Sequence, residues 1–277
     1  MGWRGHNLNK ESVLERDNCK KIRLLNYLSI LMLMACTRGE ALAALDRQEL
    51  QEMRSLATMA TVNVLLYYNL NGIPYEAENA EAFTRNLNQL RELSVQAGEV
   101  AITEQIRQLD NAVADLKHLP QSPPGVRSVW PAYTRWLPGV IEAHFRLDKL
   151  LTERYNATPE VAQIQSGLHG LSHDIGRMLL SYQMASFPNF GGDIWIPDKQ
   201  ALSVMDAEIG RGFAQLAEHD HTLAQRLNAP LRSYRFVRGH LLDPTGNWVP
   251  DAVSRYLGKA LWTVDNEAHT LDSRVHG

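Results

Sequence analysis

Residues 102–116 read ITEQIRQLDNAVADL. Ile102, Ile106, Leu109, Val113 and Leu116 recur at alternating intervals of four and three, which places one apolar stripe along an α-helix. A half-buried strand would need β-branched residues alternating with polar ones, and this stretch has no such pattern. The same plan returns 121 residues later at Leu223, Leu227, Tyr234 and Val237. This pair of stretches sets the expectation for the whole chain.

Outward from it, nearly everything after Asp46 has helical period. Asp46-Arg47-Gln48-Glu49 fits a capping box. Leu50, Met53, Ala57, Ala60, Val64 and Tyr67 form one stripe, ended by Asn71-Gly72-Ile73-Pro74. Phe83, Leu87 and Leu90 mark a second helix, and Val140, Ile141, Phe145, Leu147 and Leu151 a fourth. Asn156-Ala157-Thr158-Pro159 is a break, with Thr158 expected to cap the next helix and Pro159 to be its first residue. Helices follow at 161–182, after a loop at 188–197, at 205–216, and at 223–237 with a kink expected at Pro230. Asp243-Pro244-Thr245-Gly246 turns the chain into a final helix carrying Val253, Leu257, Leu261 and Val264.

The halves repeat. Leu65-Leu66-Tyr67-Tyr68-Asn69 matches Leu179-Leu180-Ser181-Tyr182-Gln183 at an offset of 114, and Trp136-Leu137-Pro138 matches Trp248-Val249-Pro250 at 112. Changes of offset fall in loops, where insertions belong. The expected fold class is all-α: two tandem, duplicated four-helix bundles, residues 44–156 and 157–277, after a cleaved signal peptide at 1–43.

The leader carries Lys20, Lys21 and Arg23, then a mostly apolar run from Leu24 to Ala35, then small residues ending in Ala41-Leu42-Ala43. That is the order of a secretory signal. The run is too short to span a membrane, which takes roughly 20 residues. Release before Ala44 gives a periplasmic or secreted protein. Leu33-Met34-Ala35-Cys36 offers the alternative, lipidation at Cys36 and a membrane-anchored lipoprotein.

The full chain has 277 residues with 28 Lys+Arg and 31 Asp+Glu, a formal charge of −3. From residue 44 onward it carries 21 basic and 27 acidic residues, a net −6. No basic cluster stands out beyond the first 23 residues, so a nucleic-acid partner is not expected. Both cysteines, Cys19 and Cys36, lie in the leader. A released chain therefore has no disulfide, no cysteine nucleophile and no cysteine metal ligand.

The common catalytic motifs are absent: no G-x-S-x-G, no phosphate-binding G-x-x-x-x-G-K-[ST], no H-E-x-x-H. The nearest approach to a metal site is His169-x-x-x-His173 with Asp174, since imidazoles four apart share a helix face and can ligate zinc or copper. These histidines also flank the apolar stripe, where solvated polar residues are expected, and that reading is preferred. A second candidate is aromatic. Tyr182, Phe187, Phe190, Trp195 and Trp248 gather around one bundle end, with Arg177 nearby to face an anion. Rings there also simply close a core.

Gly176-Arg177-Met178-Leu179-Leu180-Ser181-Tyr182-Gln183-Met184 resembles a first-helix motif, G-R-Q-R-M-L-S-Q-R-M. That motif belongs to the periplasmic helical sensing modules of type IV pilus methyl-accepting transducers and nitrate/nitrite sensor kinases. This chain has one extra residue between Met178 and Ser181, and Gln183 replaces the second arginine. The resemblance covers about two helices and implies a helical module binding a small ligand or a partner, with Arg177 as the anion contact.

The expected function is a non-enzymatic binding or accessory module of the bacterial envelope, with no cofactor, whose partner is an envelope protein or a small ligand. A divalent-metal protein using His169, His173 and Asp174 is the alternative.

Overall fold

Helix α1 spans Arg47–Tyr67, and eighteen of its twenty-one residues are buried. The reason is its position. It packs against four helices, α2 (Ala77–Ala97), α4 (Trp130–Ala157), α5 (Gln163–Ala185) and α8 (Pro250–His276). A helix covered on all sides needs no polar face, and α1 has no charged residue after Arg54. The single stripe expected from the sequence is therefore only part of what is buried.

The computed structural model describes residues 45–69, 76–116, 130–185, 187, 197–243 and 248–276, with side chains from 137 in α4 and to 271 in α8. The signal segment, Cys36, Phe190 and Trp195 lie outside the described residues. Residues 45–277 cluster as one unit. Among the described residues there are eight α-helices and no strand: the protein is all-α. No helix among them is long and apolar enough to cross a membrane.

The remaining helices are α3 (Val100–Asp115), α6 (Lys199–His219) and α7 (His221–Leu242). In the first half α1 packs on α2 and α4, and α3 closes the ring between them. In the second half α5 packs on α6 and α8, and α7 closes that ring. The rings meet where α1 lies against α5 and α8. Gln48 pairs with His169 and Gln51 with Ser172, so α1 and α5 advance in the same direction. Gln51 reaches Asp265 while Met59 faces Gly258, so α8 runs the opposite way.

Local signals fix the ends. Asp46 accepts from the Glu49 backbone N–H at 2.7 Å, and Glu49 Oε2 accepts from the Asp46 N–H at 2.9 Å, completing the expected capping box. Asp198 and Asp220 cap α6 and α7, accepting from Ala201 and Thr222. Gly98, at φ 63°, ends α2 in the left-handed conformation that lets α3 begin within two residues.

Two expectations need correction, at Thr158 and at the Trp-aliphatic-Pro echo. Thr158 does not start a helix: its Oγ1 donates to the Arg154 carbonyl, ending α4, and α5 begins only at Gln163. Pro230 lies inside α7, which runs on to Leu242 as one helix. The Trp-aliphatic-Pro echo is not a structural equivalence. Pro250 is the first residue of α8, whereas Pro138 lies inside α4. The buried positions align one residue later, at an offset of 113: Val140 with Val253, His144 with Leu257, Leu147 with Ala260, Leu151 with Val264. Offsets of 121 for α3 and α7 match in burial as read.

Candidate functional site

His169 and His173 do not form a solvated flank, and His173 is only half-buried. His169 is fully buried, and the two lead into a polar seam where α1, α4, α5 and α8 meet. His169 Nε2–H donates to Gln48 Oε1 at 2.9 Å, and the Tyr155 hydroxyl donates to its Nδ1 at 3.0 Å. His173 Nε2–H donates to Asp148 Oδ1 at 3.3 Å. Although the rings share one helix face, their nitrogens are engaged by different protein partners. Asp174 is half-buried and pairs with Arg177 at 3.8 Å. Among the described residues, no group of three or more His, Cys, Asp or Glu is arranged to hold a metal ion.

Helix periodicity builds the seam. Gln48, Gln51 and Ser55 are spaced three and four apart on α1, as are Gln165, His169 and Ser172 on α5. Gln51 Nε2 donates to Ser172 Oγ at 2.7 Å and lies 3.2 Å from Ser55 Oγ. Ser172 Oγ in turn donates to Asp265 Oδ1. Arg54 Nη1 donates to Gln51 Oε1 at 3.1 Å, and Arg54 Nε is 3.8 Å from Asp148 Oδ1. The Arg47 and Arg54 guanidinium groups stand 4.9 and 5.4 Å from the Tyr155 ring centroid, a cation–π arrangement.

Burial and pairing compete at each ionisable group. Burial pushes Asp148 up, but the His173 hydrogen bond and the Arg54 charge outweigh it and hold the carboxyl below its ordinary range. Burial holds His173 and His144 down, so both imidazoles favour the neutral form. Asp265 is different. Burial dominates there, against hydrogen bonds from Ser172, Ser55 and Gln51, and pushes the carboxyl up to about 6. Its Oδ2 is buried with no hydrogen-bond partner among the described residues. The seam links acids and bases from four helices by hydrogen bonds and so ties those helices together.

The aromatic candidates divide. Tyr182 stacks on Trp248, with ring centroids 4.3 Å apart and planes 24° apart, and its hydroxyl accepts from the Val249 N–H at 3.1 Å. Arg177 does not join them. It lies five residues before Tyr182, a rotation of about 140°, and points to solvent while Tyr182 points inward. Phe187 is buried. Trp248 also lines an open groove of about 1120 Å³ between α1, α2 and the start of α8. Met59, Asn63 and Leu66 lie on its α1 side, with Trp262 further along α8. Glu76, Glu78 and Arg85 of α2 and Asp251, Arg255 and Lys259 of α8 give the groove both signs of charge. The Trp248 indole N–H is buried and has no acceptor among the described residues.

Sequence reading missed the α1, α4 and α8 members of the seam. A signal existed: Asp148 and Asp265 each fall inside an apolar stripe, beside Leu147 and Val264, where an exposed carboxylate does not belong. It also missed Asn63 and Asn86, both buried at the groove, which no motif marks. No family model, curated protein or solved structure matches this chain.

Proposed function

We propose that this protein is a non-enzymatic, helical binding module of the bacterial envelope that takes a small polar ligand in the groove between α1, α2 and α8. The observation that carries this reading is the Trp248 indole N–H, buried at the groove with no acceptor among the described residues. A buried donor left unpaired costs about 1–3 kcal/mol, which a ligand acceptor would remove. Stacking on Tyr182 holds the indole in place before anything binds. Apolar floor, a few fixed polar groups and a charged rim are the usual composition of a small-ligand site. The sequence of the leader supports an envelope address, with release before Ala44 or anchoring at Cys36.

Native mass spectrometry of the full-length gene product, taken from the envelope fraction, tests this. The expected result is a retained small-molecule mass that is lost in Trp248→Phe, a variant that keeps the ring and removes the donor. A bare polypeptide, together with a melting temperature unmoved by small-molecule extracts of the same fraction, would overturn the reading.

A further inference from the structure

The chain from residue 44 is acidic, yet α7 contains Arg226, Arg232, Arg235 and Arg238 and no Asp or Glu. The expectation of no basic cluster beyond the leader fails here, because these arginines are spread over thirteen residues and only the helix brings them together. Two are engaged in the fold. Arg226 Nε donates to Glu267 and Arg238 Nη2 to Asp206, each at 2.6 Å. Arg232 and Arg235 are exposed and make no ion pair among the described residues, and neither do the exposed Arg255 and Lys259 on neighbouring α8. Arg235 sits toward α6, at a cavity it shares with Asp206, while Phe236, 68% exposed, lies on the α8 side beside Arg232 and Lys259. Its ring centroid is 4.7 Å from that of Tyr256, over which the Arg255 guanidinium stands at 5.5 Å. Arg232 and Lys259 share with these rings a shallow cavity of about 340 Å³.

Unpaired cations on an exposed face, three of them near an exposed ring, contribute little to the fold. They repel one another, and the ring stays in water. α7 already buries Leu223, Leu227, Tyr234, Val237 and Leu241 on its other side, so the face is free without any rearrangement. We propose that the α7–α8 face docks on an anionic phospholipid bilayer. The cations meet the phosphate layer and the Phe236 ring enters the boundary below it. Charge complementarity calls for a polyanion, and two features favour a bilayer over an acidic protein. The cations are scattered along two helices, a pattern that mobile headgroups can match and a fixed carboxylate array must match residue by residue. The projecting aromatic ring fits the apolar boundary beneath the headgroups.

The test uses the full-length chain and co-sedimentation with vesicles of phosphatidylcholine alone or with about one-third phosphatidylglycerol. Wild type is expected to prefer the anionic vesicles and to lose that preference in high salt. Arg232→Gln with Arg235→Gln is expected to lower anionic partitioning roughly 25-fold, about fivefold for each cation removed. Phe236→Ser is expected to lower it further. A control, Arg146→Gln with Lys149→Gln, removes the same charge from α4 and is expected to leave partitioning unchanged. Binding through residues 24–35 is common to all variants and cancels in the comparison. Equal partitioning of wild type and the Arg232/Arg235 variant would overturn the proposal, as would an equal loss in the α4 control. Binding to polyglutamate with no preference for anionic over neutral vesicles would overturn it in favour of an acidic protein partner.

Discussion

The seam and the α7–α8 face both concentrate charge, and they treat it in opposite ways. In the seam, Asp148 contacts both Arg54 and His173 where the helices meet, and Gln51 accepts from Arg54. On the face, Arg232, Arg235, Arg255 and Lys259 stand in solvent and make no ion pair among the described residues. Burial explains the difference. A charge out of water must be matched or the fold loses several kcal/mol, whereas an exposed charge can stay unmatched at almost no cost. Matched charge is therefore a requirement of this fold, and unmatched charge is available for another use.

This contrast can be broken by mutation. Asp148→Ala leaves Arg54 and His173 buried without their carboxylate and is expected to cost about 3–5 kcal/mol in guanidinium unfolding. A loss under about 1 kcal/mol would mean that water reaches the seam and the contrast is false.

Asp265 sharpens it. The folded state keeps its proton up to about 6, while the unfolded chain releases it near 3.8. Between those values the native state binds more protons, so this group lowers stability as pH rises, by about 3 kcal/mol in total. Asp265→Asn cannot titrate. From pH 4 to pH 7 its stability relative to wild type is expected to rise by about 2 kcal/mol. His144 and His173, held down by burial, act in the reverse sense: they lower stability as pH falls below 6.5. They are present in both proteins and cancel in the difference. A flat difference across that pH range would show Asp265 to be solvated.

Gly176 tests how closely the helices around the seam approach. A Cβ there would meet Leu261 Cδ1 at 3.1 Å and Thr58 Cγ2 at 3.2 Å, from α8 and α1. Gly176→Ala is expected to cost about 1 kcal/mol net, overpacking outweighing the gain in helix propensity. Adding Thr58→Ser, which removes the Cγ2 methyl, is expected to recover part of that cost in thermal unfolding. Arg232→Gln with Arg235→Gln should be the mildest, within about 0.5 kcal/mol of wild type by the same measurement.

The helices were legible because their apolar spacing is local. Ile102 to Leu116 and Leu223 to Val237 bury as read. What surrounds a helix is not local, which is why α1 looked amphipathic from Leu50 to Tyr67 and is covered almost all round. His169 and His173 stood out as a pair, but what each nitrogen faces depends on Gln48, Tyr155 and Asp148, between 14 and 121 residues away. The α7 cations escaped notice for a related reason, since net charge averages over faces that the fold separates. Tyr182 and Trp248 were correctly placed near one another, because a ring at a helix end and another at the start of a later helix close the same bundle end.

The contact of α1 with α8 has a consequence for the order of synthesis. α1 is the first helix of the bundle to be made, and Gln51 finds Asp265 only 214 residues later. Until α5 and α8 exist, a helix with Leu56, Val62, Leu65 and Leu66 has open sides and no means of closing them. Contacts this distant in sequence make folding late and slow relative to translation. α8 completes the cover of α1, so a chain interrupted before α8 would carry an unfinished first half.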